Sequence, residues 1–261
     1  MASGAAARAT RFDADVSRRL LSFLESVSAG TLATFDADGT LWSVDVGEAF
    51  LAHAGATGLL PKWPRGDAAW SEYQRRLATG DLRHAFDFCV TAFEGARDVE
   101  VAAWAEAFVA PAWKEHLFPA MAELVKSLGD AEAEVWVVSG SPAWCVIPGA
   151  ALLGIPESRV IAAVPALDAE GRVTAKMGAP LPTLETKVEE ILKRAGRAPH
   201  LAAGNSEYDY PMLECARVMS LLIDPPHSES WKKRPRGESW LVQRWAAPAE
   251  TMSETTRGGA R

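Results

Sequence analysis

The sequence predicts an α/β fold in which a mostly parallel sheet has helices on both faces and carries an inserted helical cap. Short apolar runs typical of strands alternate with amphipathic segments typical of helices. Residues 44–126 are rich in Ala, Trp, Glu and Arg at helical spacing, and they are too long for one crossover between neighbouring strands. We therefore predict a discontinuous core of residues 1–43 and 127–245, a cap of residues 44–126 and a flexible tail of residues 246–261.

Composition excludes two classes of partner. Of the 261 residues, 48% are hydrophobic and 23% are charged, which is ordinary for a soluble globular protein. The net charge of −7 and the lack of a basic stripe argue against nucleic acid as a partner. No apolar run approaches the roughly 18 residues that span a bilayer, so we expect no membrane partner. Composition leaves the oligomeric state open.

The three cysteines bear on the cellular compartment. Cys89, Cys145 and Cys215 are far apart and form no C-x-x-C pair. This pattern argues against a disulfide framework or a zinc site and favours a reducing environment. Because the N-terminus also lacks the apolar stretch of a secretory signal, we expect a cytoplasmic protein.

The first two predicted elements are a helix and a buried strand. Val16, Leu20, Leu24 and Val27 follow a helical spacing over residues 13–30, which Asp13 can begin and Gly30 can end. The apolar run at residues 32–35 then predicts a short strand that ends at Asp36.

The second half of the chain predicts further strands and helices in alternation. A strand at residues 135–138 breaks at Ser139 and Gly140 and leads into a helix, and residues 158–167 form the next strand. The turn at Glu170 and Gly171 predicts a small hairpin. The remaining predicted elements are a helix at residues 183–196 with Leu184, Val188, Ile191 and Leu192 facing inward, and strands near residues 200–204 and 217–224.

Polar clusters fall where these strands end. In open α/β sheets, ligands bind beyond the carboxyl ends of the strands. Four polar segments are expected at that edge: residues 36–40, residues 139–141, the helix start that carries Lys187, and residues 204–209. The sequence therefore predicts one functional site shared by these segments.

Asp36 and Asp38 pose the sharpest chemical question in the sequence. Two carboxylates this close raise each other's pKa unless they are compensated. A metal ion, a cationic neighbour or a solvated turn would each account for the pair. A calcium loop fails because Leu41 and Gly47 stand where an EF-hand counted from Asp36 needs Gly and Glu. The chain also lacks a P-loop and a nucleophile elbow around Ser139.

Four motifs together resemble one known family. The stretches "FDADGTLW", "VVSGSP", "TLETKVEEI" with Lys187, and "GNSEYDYPML" resemble, in order and spacing, the motifs of the haloacid dehalogenase superfamily. Within it they are similar to the phosphoserine-phosphatase-like phosphatases, whose helical cap is inserted after the first motif. The resemblance covers residues 31–224 and implies a Rossmann-like core fold.

The resemblance implies a phosphomonoesterase that acts on a small phosphorylated metabolite. Asp36 would be the nucleophile that forms an aspartyl-phosphate, and Asp38 would act as general acid and base. Lys187 would neutralise phosphate charge. Ser139 and the amides of Gly140 and Ser141 would bind phosphate oxygens. A phosphotransferase and a non-catalytic phosphate binder remain as alternatives.

The resemblance also implies a Mg²⁺ site with one departure from the family pattern. Its ligands would be Asp36, the backbone carbonyl of Asp38, Asn205 and Asp209. The family usually has Asp at the position of Asn205. Because a carboxamide removes one negative charge, we expect weaker Mg²⁺ binding, with Asp209 orienting a metal-bound water.

The substrate is expected to meet the cap through acidic residues. Asp45 lies at the offset from the first motif where phosphoserine phosphatases place an acid that faces the substrate amine, and Glu48 follows three residues later. Either could bind a cationic substrate group. Tryptophan rings could bind the same group, although core packing in a helical cap is the favoured interpretation for them. The tryptophans concerned are Trp42, Trp63, Trp70, Trp104 and Trp113.

Overall fold

The structure, a computed structural model, describes residues 11–80, 82–110, 113–224, 234 and 236–245. Its main sheet has six strands in the order β3-β2-β1-β6-β7-β8, and every neighbouring pair is parallel. The strands are β1 Leu32–Phe35, β2 Glu134–Pro142, β3 Val160–Ala163, β6 Leu201–Gly204, β7 Met219–Ile223 and β8 Trp240–Gln243. A separate antiparallel hairpin consists of β4 Pro165–Leu167 and β5 Val173–Met177.

Nine helices of at least five residues lie in the described part of the chain. They are α1 Ala14–Leu24, α2 Val46–Thr57, α3 Ala68–Leu77, α4 Leu82–Thr91, α5 Asp98–Val109, α6 Pro119–Asp130, α7 Ala143–Ala151, α8 Glu185–Ala195 and α9 Tyr210–Glu214. The helices α2–α5 fall between β1 and β2, as the helical cap of the prediction requires. The predicted fold class is confirmed.

The sheet separates two apolar clusters because side chains alternate between its faces. Ala33 and Phe35 of β1 belong to the larger cluster, which continues into the inserted helices. Leu32 faces the smaller cluster on the opposite side, together with Ile191 of α8. Strand β1 lies in the middle, where the strand order reverses between β2 and β6. A reversal of this kind opens a crevice at the carboxyl ends of the central strands.

The inserted helices have their own packing and are tied to the hairpin. Phe50 of α2 stacks on Phe93 with 5.2 Å between ring centroids. The amide of Gly95 donates to the carbonyl of Val173, and the amide of Val173 donates to the carbonyl of Ala96, both at 2.9 Å. The proposed core boundary between residues 126 and 127 falls inside α6, which packs against β2.

Several local predictions were wrong for identifiable reasons. Helix α1 ends at Leu24 instead of continuing to Gly30, because the amides of Ser26 and Val27 donate to carbonyls three residues back and tighten the last turn. Strand β2 does not break at Ser139 but continues to Pro142 through a register shift. Leu192 is 46% exposed, because Lys187 and Ile191 take the buried positions of α8.

The C-terminal part of the described chain contains a strand that the sequence did not predict. This strand, β8, pairs with β7 at the edge of the sheet. The proposed tail of residues 246–261 lies outside the described residues. None of the described helices has both the length and the apolar character needed to cross a membrane.

Candidate active site

The four polar segments meet around one cavity of about 250 Å³ at the carboxyl ends of the central strands. Most of its walls come from the sheet and the segments that follow it, and Asp45 and Phe86 come from the inserted region. The lining residues are Asp36, Asp38, Asp45, Phe86, Ser139, Gly140, Ser141, Thr183, Lys187, Asn205, Ser206, Tyr208 and Asp209.

Asp36 follows β1 directly and is buried. Its amide donates to the carbonyl of Ala203 at 2.9 Å, which continues the pairing of β1 with β6 and fixes the backbone. Its Oδ1 accepts a hydrogen bond from Lys187 Nζ at 2.7 Å, and its Oδ2 accepts one from the Thr40 hydroxyl at 3.0 Å. Burial and the nearby Asp209 carboxylate raise the pKa of Asp36 to about 7, although Lys187 acts in the opposite direction.

Lys187 is a buried cation with three protein acceptors. Only 2% of its surface is exposed. Besides Asp36, its Nζ donates to Asp209 Oδ1 at 2.6 Å and to the carbonyl of Val138 at 2.7 Å. Burial by itself lowers the pKa of this ammonium group, but the carboxylates of Asp209 and Asp36 raise it above the ordinary value on balance. Lys187 therefore stays charged beside the nucleophile candidate.

Asp209 connects Lys187 to the loop that follows β6. Its Oδ2 accepts hydrogen bonds from the amides of Asn205 and Ser206, at 3.1 and 3.0 Å, and from the Ser206 hydroxyl at 2.9 Å. Gly204 allows this approach, because a Cβ at that position would lie 2.5 Å from the Cβ of Asp209. The described contacts of this carboxylate are with protein donors, and a metal-bound water at Asp209 stays a prediction.

Asp38 is held by donors on both of its carboxylate oxygens. Oδ1 accepts from the indole Nε1 of Trp42 at 2.7 Å and from the amide of Val46 at 2.8 Å. Oδ2 lies 2.6 Å from the Ser141 hydroxyl and 3.4 Å from that of Ser139. Burial raises the pKa of Asp38, while the hydrogen bonds from Ser141, Val46 and Trp42 oppose the rise.

The segment Ser139–Ser141 is a bulge within β2. The register between β2 and β3 shifts between Val138 and Pro142, and α7 begins directly afterwards at Ala143. A bulge turns side chains and amides away from the regular ladder, which is how these residues come to line the cavity. The amide of Ser141 donates to Ser139 Oγ at 3.0 Å.

The two acidic residues predicted to face the substrate occupy different places. Asp45 precedes α2 as its N-cap, its Oδ1 accepts from the amide of Glu48 at 2.8 Å, and it lines the cavity. Burial, with Asp38 and Glu48 nearby, raises the pKa of Asp45 well above its usual value. Glu48 instead accepts a hydrogen bond from the Tyr73 hydroxyl at 2.6 Å and is not among the described residues that line the cavity.

Some residues in or beside the cavity were not assigned a role from the sequence. Thr40 stands inside the first motif, but nothing in that pattern shows that its hydroxyl reaches Asp36. Phe86 and Tyr208 contribute the aromatic surface, with rings edge to face at 5.7 Å. The cap tryptophans pack elsewhere: Trp63 lies against Phe88, and Trp70 stacks on Tyr73.

The donor set of the cavity can be tested against Mg²⁺. In the part of the chain that the structure describes, no group of three or more His, Cys, Asp or Glu side chains is arranged to hold a metal ion. Asp38 and Asp209 each accept four hydrogen bonds from described protein donors, whereas Asp36 accepts two. Asp36 therefore keeps more free lone pairs than the other two carboxylates, and the side chain of Asn205 offers a further oxygen. Mg²⁺ usually keeps several waters and binds through one or two carboxylates plus substrate phosphate, so this sparse set fits it.

Comparisons with known proteins identify the family. A model of the haloacid dehalogenase-like hydrolase family matches residues 33–214. The chain therefore belongs to this family of hydrolases, and the family predicted from the four motifs is confirmed. A comparison with curated proteins found no match.

Solved structures share the fold at low sequence identity. A protein of unknown function from Bordetella pertussis Tohama I is 22% identical, with a TM-score of 0.69 over 82% of this chain and 98% of its own. A phosphoserine phosphohydrolase-like protein from Francisella tularensis subsp. tularensis SCHU S4 is 19% identical, with a TM-score of 0.53 over 74% and 87%. A substrate-bound phosphoserine phosphatase is 18% identical, with a TM-score of 0.53 over 78% and 89%.

Proposed function

We propose that the protein is a Mg²⁺-dependent phosphomonoesterase that uses Asp36 as its nucleophile. The observation that carries this proposal is the 2.7 Å contact between Asp36 Oδ1 and the buried Lys187 in a cavity that also contains Asp38 and Ser139. A carboxylate, a fixed cation, a second carboxyl group and a phosphate-binding segment are the parts that phosphoryl transfer through an aspartate requires.

The reaction proceeds in two displacements. A carboxylate oxygen of Asp36 forms a bond to phosphorus while the bond from phosphorus to the ester oxygen breaks, and Asp38 gives a proton to the departing oxygen. Water then attacks the aspartyl-phosphate, loses a proton to Asp38 and releases inorganic phosphate, which restores both carboxyl groups. Lys187 and the segment Ser139–Ser141 stabilise the negative charge of the phosphoryl group in both steps.

The excess of acid in the cavity supports a bound cation. The described lining residues include four aspartates and one lysine, and a phosphate dianion adds further negative charge. We propose that Asp36, the side chain of Asn205 and the backbone carbonyl of Asp38 hold Mg²⁺, with Asp209 beside them. When bound, the ion supplies positive charge that offsets the repulsion between substrate phosphate and nucleophile.

The same charge balance favours a substrate that carries an amine. Asp45 Oδ2 accepts no hydrogen bond from the described residues, whereas Oδ1 caps α2. Binding an ammonium group would compensate this carboxylate, whose raised pKa reflects its burial beside other acids. We propose that Asp45 contacts a cationic group of a small phosphorylated metabolite. Glu48 donates its backbone amide to Asp45 Oδ1, while its carboxylate accepts a hydrogen bond from Tyr73.

A phosphate-release panel tests this function. We expect Mg²⁺-dependent release from phosphoethanolamine or phosphoserine, and release from no substrate in Asp36→Asn. Phosphorylated alcohol that accumulates when alcohols are added would instead indicate a phosphotransferase. Phosphate binding without release from any ester would indicate a non-catalytic binder.

The amine preference has its own matched variant. Asp45→Asn keeps an oxygen that can cap α2 but removes the charge. We expect its KM for phosphoethanolamine to rise at least about tenfold, while its KM for p-nitrophenyl phosphate, which has no amine, changes little. An equal change for both esters would contradict the proposed role of Asp45.

A further inference from the structure

The two carboxylate oxygens of Asp38 have different surroundings. Oδ1 faces two nitrogen donors, the indole Nε1 of Trp42 at 2.7 Å and the amide of Val46 at 2.8 Å. Oδ2 faces the hydroxyl groups of Ser141 and Ser139, at 2.6 and 3.4 Å, and both of these serines line the cavity. The two oxygens are therefore not equivalent as proton carriers.

The chemistry of these donors decides where a proton can reside. An indole N–H and a backbone N–H donate hydrogen bonds and cannot accept them, whereas a serine hydroxyl can do either. A proton on Oδ1 would point at two N–H hydrogens, while a proton on Oδ2 meets hydroxyl oxygens. We infer that Trp42 is a positioning residue that keeps the exchangeable proton of Asp38 on Oδ2, beside the phosphate-binding segment Ser139–Ser141.

The indole of Trp42 is fixed before any substrate binds. Its side chain is fully buried, and its ring meets that of Trp113 edge to face at 6.3 Å. On another side, α7 passes close to the ring. A Cβ at Gly149 of this helix would lie only 3.0 Å from the indole Cη2. The backbone carbonyl of Trp42 accepts from the amide of Gly39 at 2.7 Å, which ties the ring to the loop that carries Asp38. A donor fixed in this way needs no reorganisation during the reaction.

This role rests on the proposed phosphatase reaction. In the first displacement, the ester oxygen that leaves phosphorus takes the proton from Asp38 Oδ2. In the second, attacking water returns a proton to the same oxygen. Without the Trp42 donor, Oδ1 can also carry the proton, and that proton points toward Val46 instead of the departing oxygen. The loss is largest when the leaving group is a poor one, because such a group depends most on protonation.

Two aryl phosphates of similar size make this dependence measurable. p-Nitrophenolate leaves readily without a proton, whereas phenolate does not. We expect Trp42→Phe to lower kcat/KM for phenyl phosphate at least about tenfold. This loss is a part of the roughly 10²- to 10⁴-fold rate acceleration that general acid–base catalysis contributes. For p-nitrophenyl phosphate we expect a loss below about threefold. The ratio kcat/KM reports the steps up to release of the phenol.

Trp113→Phe is the matched control. Trp113 is also buried and packs against Trp42, but its indole N–H has no hydrogen-bond partner among the described residues. We expect it to affect both esters equally. To separate hydrogen bonding from packing, benzothienylalanine can replace Trp42, since it keeps the ring shape and lacks the N–H. We expect the same selective loss as in Trp42→Phe.

The outcomes distinguish this inference from the proposed function. Equal losses for the two esters in Trp42→Phe, or no selective loss with benzothienylalanine, would overturn the positioning role while leaving the phosphatase reaction in place. Wild-type protein that releases phosphate from neither aryl ester and from neither phosphoethanolamine nor phosphoserine would overturn the proposed function, and the role of Trp42 with it.

Discussion

At the scale of single residues, the buried Lys187 compensates the charge of two aspartates in the site. Its ammonium group lies between Asp36 and Asp209 with almost no solvent contact. A buried charge that loses its partner is far more costly than a broken surface pair. In the proposed reaction the side chain serves stability and chemistry together, since the ammonium group that compensates Asp36 would also bring positive charge to the phosphoryl group.

Lys187→Met should expose this dual role. We expect a loss of about 3 kcal/mol in the free energy of unfolding, because two buried carboxylates lose their shared cation. We expect phosphatase activity to fall at least about 100-fold. Urea unfolding and steady-state kinetics measure both effects.

Lys193→Met is the control on the same helix. Lys193 pairs with Glu190 at 3.0 Å in an exposed position, so we expect a loss below about 1 kcal/mol and unchanged kinetics. Equal stability of the two variants would contradict the assignment of a stabilising role to Lys187.

Residue types and spacing predicted part of this site, and for physical reasons they could not predict the rest. A carboxylate directly after a buried strand has to lie at the sheet edge, so Asp36 could be placed from the sequence. The contact from Trp42 to Asp38 could not be predicted from the sequence. A tryptophan among apolar residues indicates a buried core position, and the sequence does not show the direction of its indole N–H. The capping role of Asp45 and the pairing of Glu48 with Tyr73 depend on helix packing that residue spacing does not reveal.

At the scale of elements, the loop after β1 and the loop after β6 fit against each other. Gly39 adopts a positive φ of 75°, and a Cβ there would lie 2.0 Å from Nδ2 of Asn205. Only glycine therefore combines this backbone conformation with room for the Asn205 side chain.

Gly39→Ala should disturb both loops. We expect a loss of about 2 kcal/mol or more in unfolding free energy, since backbone strain of about 1–2 kcal/mol adds to the clash. We also expect a clear drop in kcat/KM because Asn205 has to move. Gly154→Ala is the control, because Gly154 has a φ of 76° with no atom within 4 Å of the added Cβ. Gly154→Ala should lose only the unfolding free energy that corresponds to backbone strain, and its kcat/KM should not change. Equal losses of stability and of kcat/KM in the two variants would show that the contact between Gly39 and Asn205 has no effect.

Another contact between elements joins β6 to β1 through His200. Its Nδ1 accepts a hydrogen bond from the amide of Leu32 at 3.1 Å. Burial and the nearby Arg217 and Arg197 lower the pKa of this imidazole. A group whose pKa is lower in the folded state contributes stability that is complete above its unfolded pKa of about 6.5 and is lost as the pH falls.

His200→Asn tests this linkage. An asparagine oxygen can accept the same hydrogen bond but does not titrate in this range. We expect the unfolding free energy of the wild type to fall more than that of the variant between about pH 8 and about pH 5. Parallel curves from denaturant unfolding at each pH would show that His200 makes no such contribution.

The sequence also predicted some of the strands and missed others. An apolar run followed by a polar break located β1, β6 and β7. Strand β8 was missed because Trp240–Gln243 is short and gains its place only through pairing with β7. The extension of β2 to Pro142 was missed because Ser and Gly read as a turn, whereas in the structure they form a bulge inside a continuing strand.

At the scale of the whole molecule, the fold gathers negative charge in the cavity at the carboxyl ends of the central strands. Four aspartates and one lysine line the cavity in the described part of the chain. Burial is the main cause that raises the pKa values of Asp36, Asp38 and Asp45, and neighbouring carboxylates raise those of Asp36 and Asp45 further. A metal ion and a cationic substrate group, as proposed above, would compensate this negative charge.

The nucleophilic role proposed for Asp36 can be tested by detecting a phosphoryl group on this residue during turnover. The protein is mixed with p-nitrophenyl phosphate and Mg²⁺, quenched with acid within milliseconds, and digested for peptide mass spectrometry. We expect a phosphoryl group on Asp36 that forms and decays at rates consistent with turnover and is absent in Asp36→Asn. Continued turnover with no phosphoryl group on that residue at any time point would show that Asp36 is not the nucleophile.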